Sequence, residues 1–315
     1  MSLELIGLII LWVFLFGYLI IASIDFGAGF FSYHSLLTKE RHLIQGVIER
    51  YLSPVWEVTN VFLVFFFVGI VGFFPEIAFY YGTALLIPGS ISIILLVIRG
   101  SYYAFGQYGA KRNKYFMFLY GATGLFIPAL LSIVLTISEG GYIEVINNSV
   151  KLLTTELLTS VYAWCVVILA IVSILFISAS FLLFYAERAK DYRAEGVLRK
   201  YAVTWSAPSI LACVVTFLAL RHHNVEHFNN MISISWVFGV SLICFLIAIS
   251  LIVKGIKYNV AFVFVVLQYG LAFGGYGYAH LPYLLYPYLT YDAGFTNQAM
   301  GFALIIVFIL GLFLL

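Results

Sequence analysis

Ile24-Asp25-Phe26-Gly27-Ala28-Gly29-Phe30 places a carboxylate near the end of an apolar run that begins at Leu5. Ser53-Pro54-Val55-Trp56-Glu57-Val58-Thr59-Asn60 places a second near the start of the next run. Each run is long enough to cross a bilayer as a helix, which takes about 20 apolar residues. A carboxylate at membrane depth is costly; it marks an ion or proton pathway, or it holds a neighbouring helix by hydrogen bonds. Asp25 and Glu57 lie toward the same membrane face. Two protonatable groups at one entrance point to a proton path into the protein, and the plainer reading makes each a structural anchor.

The surrounding composition sets the class. Of 315 residues, 63% are hydrophobic and 10% charged, and the mean hydropathy is +1.07. These values exclude an ordinary soluble domain and describe one polytopic membrane domain over residues 1–315. Nine spans are predicted: 5–31, 54–74, 77–99, 115–138, 157–185, 202–220, 231–252, 259–282 and 298–315. The first reads as a span rather than a cleaved leader, because it carries Glu4 in place of a basic region and is too long. With the N-terminus outside, the inner loops hold Lys39, Arg41 and Arg50; Arg99, Lys111, Arg112 and Lys114; Arg188, Lys190, Arg193, Arg199 and Lys200; and Lys254 and Lys257. Only Lys151 and Arg221 of the 16 basic residues then face outward. The positive-inside rule therefore predicts an outer N-terminus and a cytoplasmic C-terminus.

Local signals refine the spans. Span one covers about 40 Å as a helix, with Asp25 about 9 Å from its inner end. Gly27 and Gly29 suit close helix packing, or else loosen a helix end. Ser53 and Pro54 read as the N-cap and first helical position of span two. Glu57 then lies about one turn inside, and Asn60 shares its face. Phe74-Pro75-Glu76 is a tight outer turn, and Pro88 and Pro128 interrupt spans three and four. Outer loop 139–156 is acidic through Glu139, Glu144 and Glu156, and inner loop 186–200 should be solvated. Gly270 and Gly274 form a GxxxG spacing for helix packing. The tyrosines from Tyr276 to Tyr291 read as an interfacial aromatic belt.

Several chemistries are disfavoured. Cys165, Cys213 and Cys244 lie in apolar runs without CxxC spacing and read as packing residues. Haem in a bundle needs axial ligands that project inward from facing helices. None of His34, His42, His222, His223, His227 and His280 is central in a span. The chain by itself is therefore expected to bind no haem. His223-Asn224-Val225-Glu226-His227 has the H-x-x-E-H spacing of a zinc peptidase class. It lies in a short outer loop with no evident third ligand, so no metal site is expected. Loop 100–114, with Gly100, Gly106 and Gly109, reads as a solvated surface loop rather than a phosphate cradle.

Along almost its whole length the sequence resembles subunit II of the cytochrome bd-type quinol oxidases. The resemblance rests on Asp25 through Gly29, on Trp56-Glu57 with Asn60, on Arg99, and on Pro128 in Phe126-Ile127-Pro128-Ala129-Leu130. It implies two four-helix bundles plus one peripheral helix, in a membrane heterodimer with a haem-bearing subunit I. That partner would carry haem b and haem d and the quinol site, and a small single-span subunit accompanies some complexes of this type. The complex would oxidise quinol, reduce O2 to water and build a proton gradient. Asp25 matches the acidic residue at the mouth of the family's proton path. Glu57 stands where many members have Asp after the same Trp. Phe62 stands where many have Trp, so a tryptophan gate for gas entry does not carry over. The rival class is a proton-coupled secondary transporter using Asp25 and Glu57. It needs broken helices around a midplane site between repeats. Pro88 and Pro128 supply breaks, but no midplane charge supplies the site.

Overall fold

A computed structural model describes residues 2–38, 40–104, 114–146 and 149–314. Helix α1 spans Leu3–Leu37, starting at the Ser2 side chain, which accepts from the Leu5 amide at 3.3 Å. Helix α2 (Arg41–Phe73) returns along it. The short α3 (Pro75–Ala84) and the longer α4 (Leu86–Ala104) follow, then α5 (Lys114–Leu131) and α6 (Ile133–Ser138). Strands β1 (Ile143–Ile146) and β2 (Ser149–Leu152) pair antiparallel, with Glu144 opposite Lys151 on the exposed edge. Helix α7 (Thr154–Thr159) leads into α8 (Val161–Arg188), α9 (Tyr192–His223) and α10 (Val225–Ser233). The chain ends with α11 (Ser235–Lys254), α12 (Tyr258–His280), the small ladder β3 (Tyr283–Leu285) and β4 (Leu289–Thr290), and α13 (Gln298–Leu314).

Six helical stretches are long and apolar enough to cross a membrane: Leu3–Leu37, Lys114–Ser138, Val161–Arg188, Tyr192–His223, Ser235–Lys254 and Tyr258–His280. The bent pair α3 and α4 makes a seventh if counted as one span, and Thr59–Phe73 within α2 and Gln298–Gly311 within α13 are shorter apolar stretches. All these counts are of the described residues.

The elements depart from the predicted spans in several places. Helix α2 begins at Arg41 and runs through Ser53 and Pro54, so these two residues do not start it. Its early turns bury Ile44, Val47 and Ile48 against Ala28 and Phe31 of α1, and this packing outweighs the local start signal. Helix α9 likewise begins at Tyr192, inside the loop expected to be solvated. The Asp191 side chain caps it by accepting from the Ala194 amide at 3.1 Å, and Ala194 and Leu198 are buried. Span three is not one helix: α3 and α4 meet at an 81° bend around Leu85. Pro88 lacks an N–H for the carbonyl of Ala84, and its ring would clash with that carbonyl, so the first helix stops at Ala84. Pro88 then sits in the first turn of α4, where no intrahelical donor is needed.

Helix α8 is the central post, packed against α1, α5, α9 and α12. Small hydroxyl residues stitch it and its neighbours together. Ser178 Oγ donates to the Ile24 carbonyl at 2.9 Å, Ser209 Oγ to that of Val172 at 3.0 Å, and Ser241 Oγ to that of Gln268 at 2.8 Å. Lipid supplies no hydrophobic drive between helices, so such close approaches and hydrogen bonds carry the association. At the end bearing most basic residues, Arg199 Nε donates to the Ile252 carbonyl at 2.9 Å, satisfying the C-terminus of α11.

Candidate functional site

Three helices meet at Asp25. It lies on α1, about 18 Å along the axis from the helix end at Leu37, because that helix outruns its predicted span. The deeper position leaves Asp25 only 2% exposed. Its Oδ2 accepts from Arg99 Nε on α4 at 2.9 Å, and its backbone carbonyl accepts from Arg99 Nη2 at 2.6 Å. Tyr120 on α5 donates its hydroxyl to Oδ1 at 3.2 Å, and the Tyr120 carbonyl accepts from Arg99 Nη1 at 2.8 Å. The guanidinium also lies over the Tyr120 ring, 4.1 Å from its centroid, and over Phe26 at 5.1 Å. Arg99, assigned to an inner loop from the sequence, is instead 1% exposed and among the largest fully buried side chains.

The glycines explain how a guanidinium fits there. A Cβ on Gly29 would stand 2.8 Å from the Tyr120 carbonyl oxygen and 3.0 Å from Arg99 Nη1. One on Gly124 would strike the Phe26 carbonyl, and one on Gly27 would strike the Ser178 side chain. Gly27 and Gly29 lie inside α1 and do not loosen its end. The GxxxG pair divides: Gly270 faces Phe16 at 3.2 Å, whereas a Cβ on Gly274 would meet nothing within 4 Å. Gly275 and Gly277 make the close approaches instead, to Phe238 and Trp12. Asn60 is half-buried on α2. The Trp56 and Glu57 side chains, and positions 105–113 of the glycine-bearing loop, lie outside the described residues.

A second buried cluster was not foreseen. Glu139, read from the sequence as part of an acidic outer loop, is 2% exposed just past the end of α6. Its Oε1 lies 2.8 Å from His227 Nδ1 of α10, and its Oε2 accepts from Asn224 Nδ2 at 3.0 Å. The Tyr276 hydroxyl of α12 donates to Oε1, and His280 Nδ1 stands 3.7 Å from the same oxygen. Burial works to raise the Glu139 pKa, but the His227 hydrogen bond and the electrostatic pull of the two imidazoles outweigh it and hold the carboxyl below its usual value. His223 does not join: it stacks between Tyr142 and Tyr162 and reaches the Gly140 carbonyl at 3.0 Å. The H-x-x-E-H match is thus not a site as spaced, although its last histidine belongs to one. Residues from the end of α6, from α10 and from α12 meet here across long stretches of chain, and no sequence spacing could have joined them.

Long apolar helices tied by interhelical hydrogen bonds, with charge gathered into buried clusters, define a polytopic integral membrane protein. Residues 3–315 match the family of cytochrome bd terminal oxidase subunit II, and the chain belongs to that family. It is similar to a Bacillus subtilis (strain 168) protein assigned as a cytochrome bd menaquinol oxidase subunit II, 37% identical over 99% of this chain and 92% of that one. It is also similar to a chain in the structure of bd oxidase from Geobacillus thermodenitrificans. Here the identity is 53% and the TM-score 0.86, over 100% of this chain and 95% of that one. The chain is therefore a subunit of a cytochrome bd quinol oxidase complex, an oxidoreductase that works with haem and includes a partner subunit I. These matches do not favour the transporter alternative.

Proposed function

We propose that this chain is the haem-free subunit II of the oxidase, one polytopic domain of nine membrane helices arranged as two four-helix bundles and a peripheral helix. It steadies a subunit I that carries haem b, haem d and the quinol site, and it leads protons toward that partner from the cytoplasmic side. The haem-free reading is supported by the placement of the histidines. His34 lies in the last turn of α1, His42 near the start of α2, His222 and His223 in the last turn of α9, His227 in the short α10, and His280 at the end of α12. The His227 and His280 rings face one carboxylate with centroids 4.9 Å apart, which leaves no room for a macrocycle between them. None of these six histidines faces another across a space that would hold haem.

The observation that carries the proton route is the buried Asp25. It is a carboxylate at membrane depth whose Oδ1 meets a proton-bearing hydroxyl, Tyr120, 3.2 Å away. Glu57 and Asn60 would continue the entrance along α2. Neutralising Asp25, by a proton or by substitution, removes the carboxylate charge 2.9 Å from Arg99 Nε, so the guanidinium responds to the protonation of Asp25. The test is oxygen consumption per haem, with proton uptake in reconstituted vesicles, for Asp25→Asn and Glu57→Gln. A relay predicts lower turnover and uptake with haem retained, the Glu57 variant falling less. Full turnover and uptake in Asp25→Asn removes the relay, and loss of haem from it assigns Asp25 to assembly.

A further inference from the structure

We propose that Glu139, His227 and His280 form a binding site for a divalent late transition metal, of which zinc is the natural probe, at the hairpin end of the molecule. One ligand atom from each of these residues lies within 4.8 Å of the others. Tetrahedral zinc with Zn–N and Zn–O bonds of about 2.0–2.2 Å sets its ligand atoms about 3.3–3.5 Å apart. The two separations to the carboxylate, 2.8 Å from His227 and 3.7 Å from His280, bracket that spacing.

Hydrogen-bond bookkeeping points the same way. His227 Nε2 lies 3.1 Å from the Tyr276 carbonyl oxygen, which only accepts, so this nitrogen carries a hydrogen. The opposite nitrogen, Nδ1, then faces a carboxylate at 2.8 Å, and a positive charge must lie between two lone-pair surfaces. A proton supplies it, and so does a metal ion. An imidazole fixed by a carbonyl on its far nitrogen, and a carboxylate fixed by Asn224 and Tyr276, are the outer partners that orient metal ligands. His280 separates the two answers. A proton shared by Glu139 and His227 has no use for a second imidazole, yet His280 is held against the same carboxylate beyond hydrogen-bond distance. The His280 side chain is 10% exposed, which gives an ion a way in.

The site does not depend on the proton route at Asp25, which lies on other helices. The test uses the purified oxidase complex, treated with chelator and then dialysed against zinc chloride at buffered free concentration. Zinc is counted by plasma mass spectrometry, and its surroundings are read by zinc-edge X-ray absorption. The wild type should retain one more zinc per complex than His280→Ala or Glu139→Gln, in which affinity should drop about 100-fold or more. His223→Gln should retain the metal. The absorption spectrum should show two imidazoles and a carboxylate oxygen at about 2.0–2.2 Å. Equal zinc in the wild type and both ligand variants overturns the proposal. So does a wild-type spectrum without histidine scattering, a result that needs no variant to assemble.

Discussion

At the residue scale the Asp25–Arg99 pair dominates, because both charges are out of water and each satisfies the other. Removing one partner of such a pair leaves an uncompensated buried charge, at a cost of about 3–5 kcal/mol. Asp25→Ala and Arg99→Met should each lower the thermal unfolding midpoint of the complex by that measure. The double variant should be less destabilised than the sum of the two, since neither charge remains. Strict additivity in that cycle would show that the two residues do not depend on each other. Asp25 and Arg99 both stood out in the sequence, as a charge in a span and a charge at a span end. Their pairing did not, because 74 positions separate them and only the packing of α4 and α5 on α1 brings them together.

At the scale of the element, the glycines make opposed predictions. Gly27→Ala would push a methyl group into Ser178 on the central post, and overpacking of this kind costs about 1–3 kcal/mol. Gly274→Ala meets open space in an α-helix, where alanine is the better helix former by about 1 kcal/mol, so stability should hold or rise. Thermal melts of both variants in detergent check the contrast, and equal losses would contradict the packing described. The two glycines look alike in sequence. Which glycine lies under a neighbour depends on helix rotation, and a chain apolar on every face carries little periodic signal for it. Proline was more legible: Pro88 was expected to interrupt span three, and the break falls at the carbonyl it cannot serve.

At the scale of the whole molecule, the distribution of lysine and arginine makes the prediction. Single cysteines at Lys190 and Glu144, both exposed, should be labelled from opposite sides of the membrane, position 190 from the cytoplasm and position 144 from outside. The reverse pattern would move the proposed proton entrance to the other face. This chain produced without its partner should also bind no stoichiometric haem. A tight low-spin haem spectrum from it would remove the haem-free assignment.

Composition and the length of the apolar runs settled that this is a polytopic helical membrane protein, since a backbone in lipid is satisfied only inside helices or a closed barrel and runs of about 20 apolar residues suit helices. Residue motifs around Asp25 and Trp56 were enough for the family. Tertiary structure decided the rest. It carried α1 and α2 beyond their predicted ends, took Arg99 out of a loop and into the interior, and turned Glu139 from a loop acid into the centre of a histidine cluster. The physical reason is the same for the two buried charges. A charged side chain near a span end reads as solvated from its neighbours in sequence, and it is buried only when other helices supply its hydrogen bonds and counter-charge.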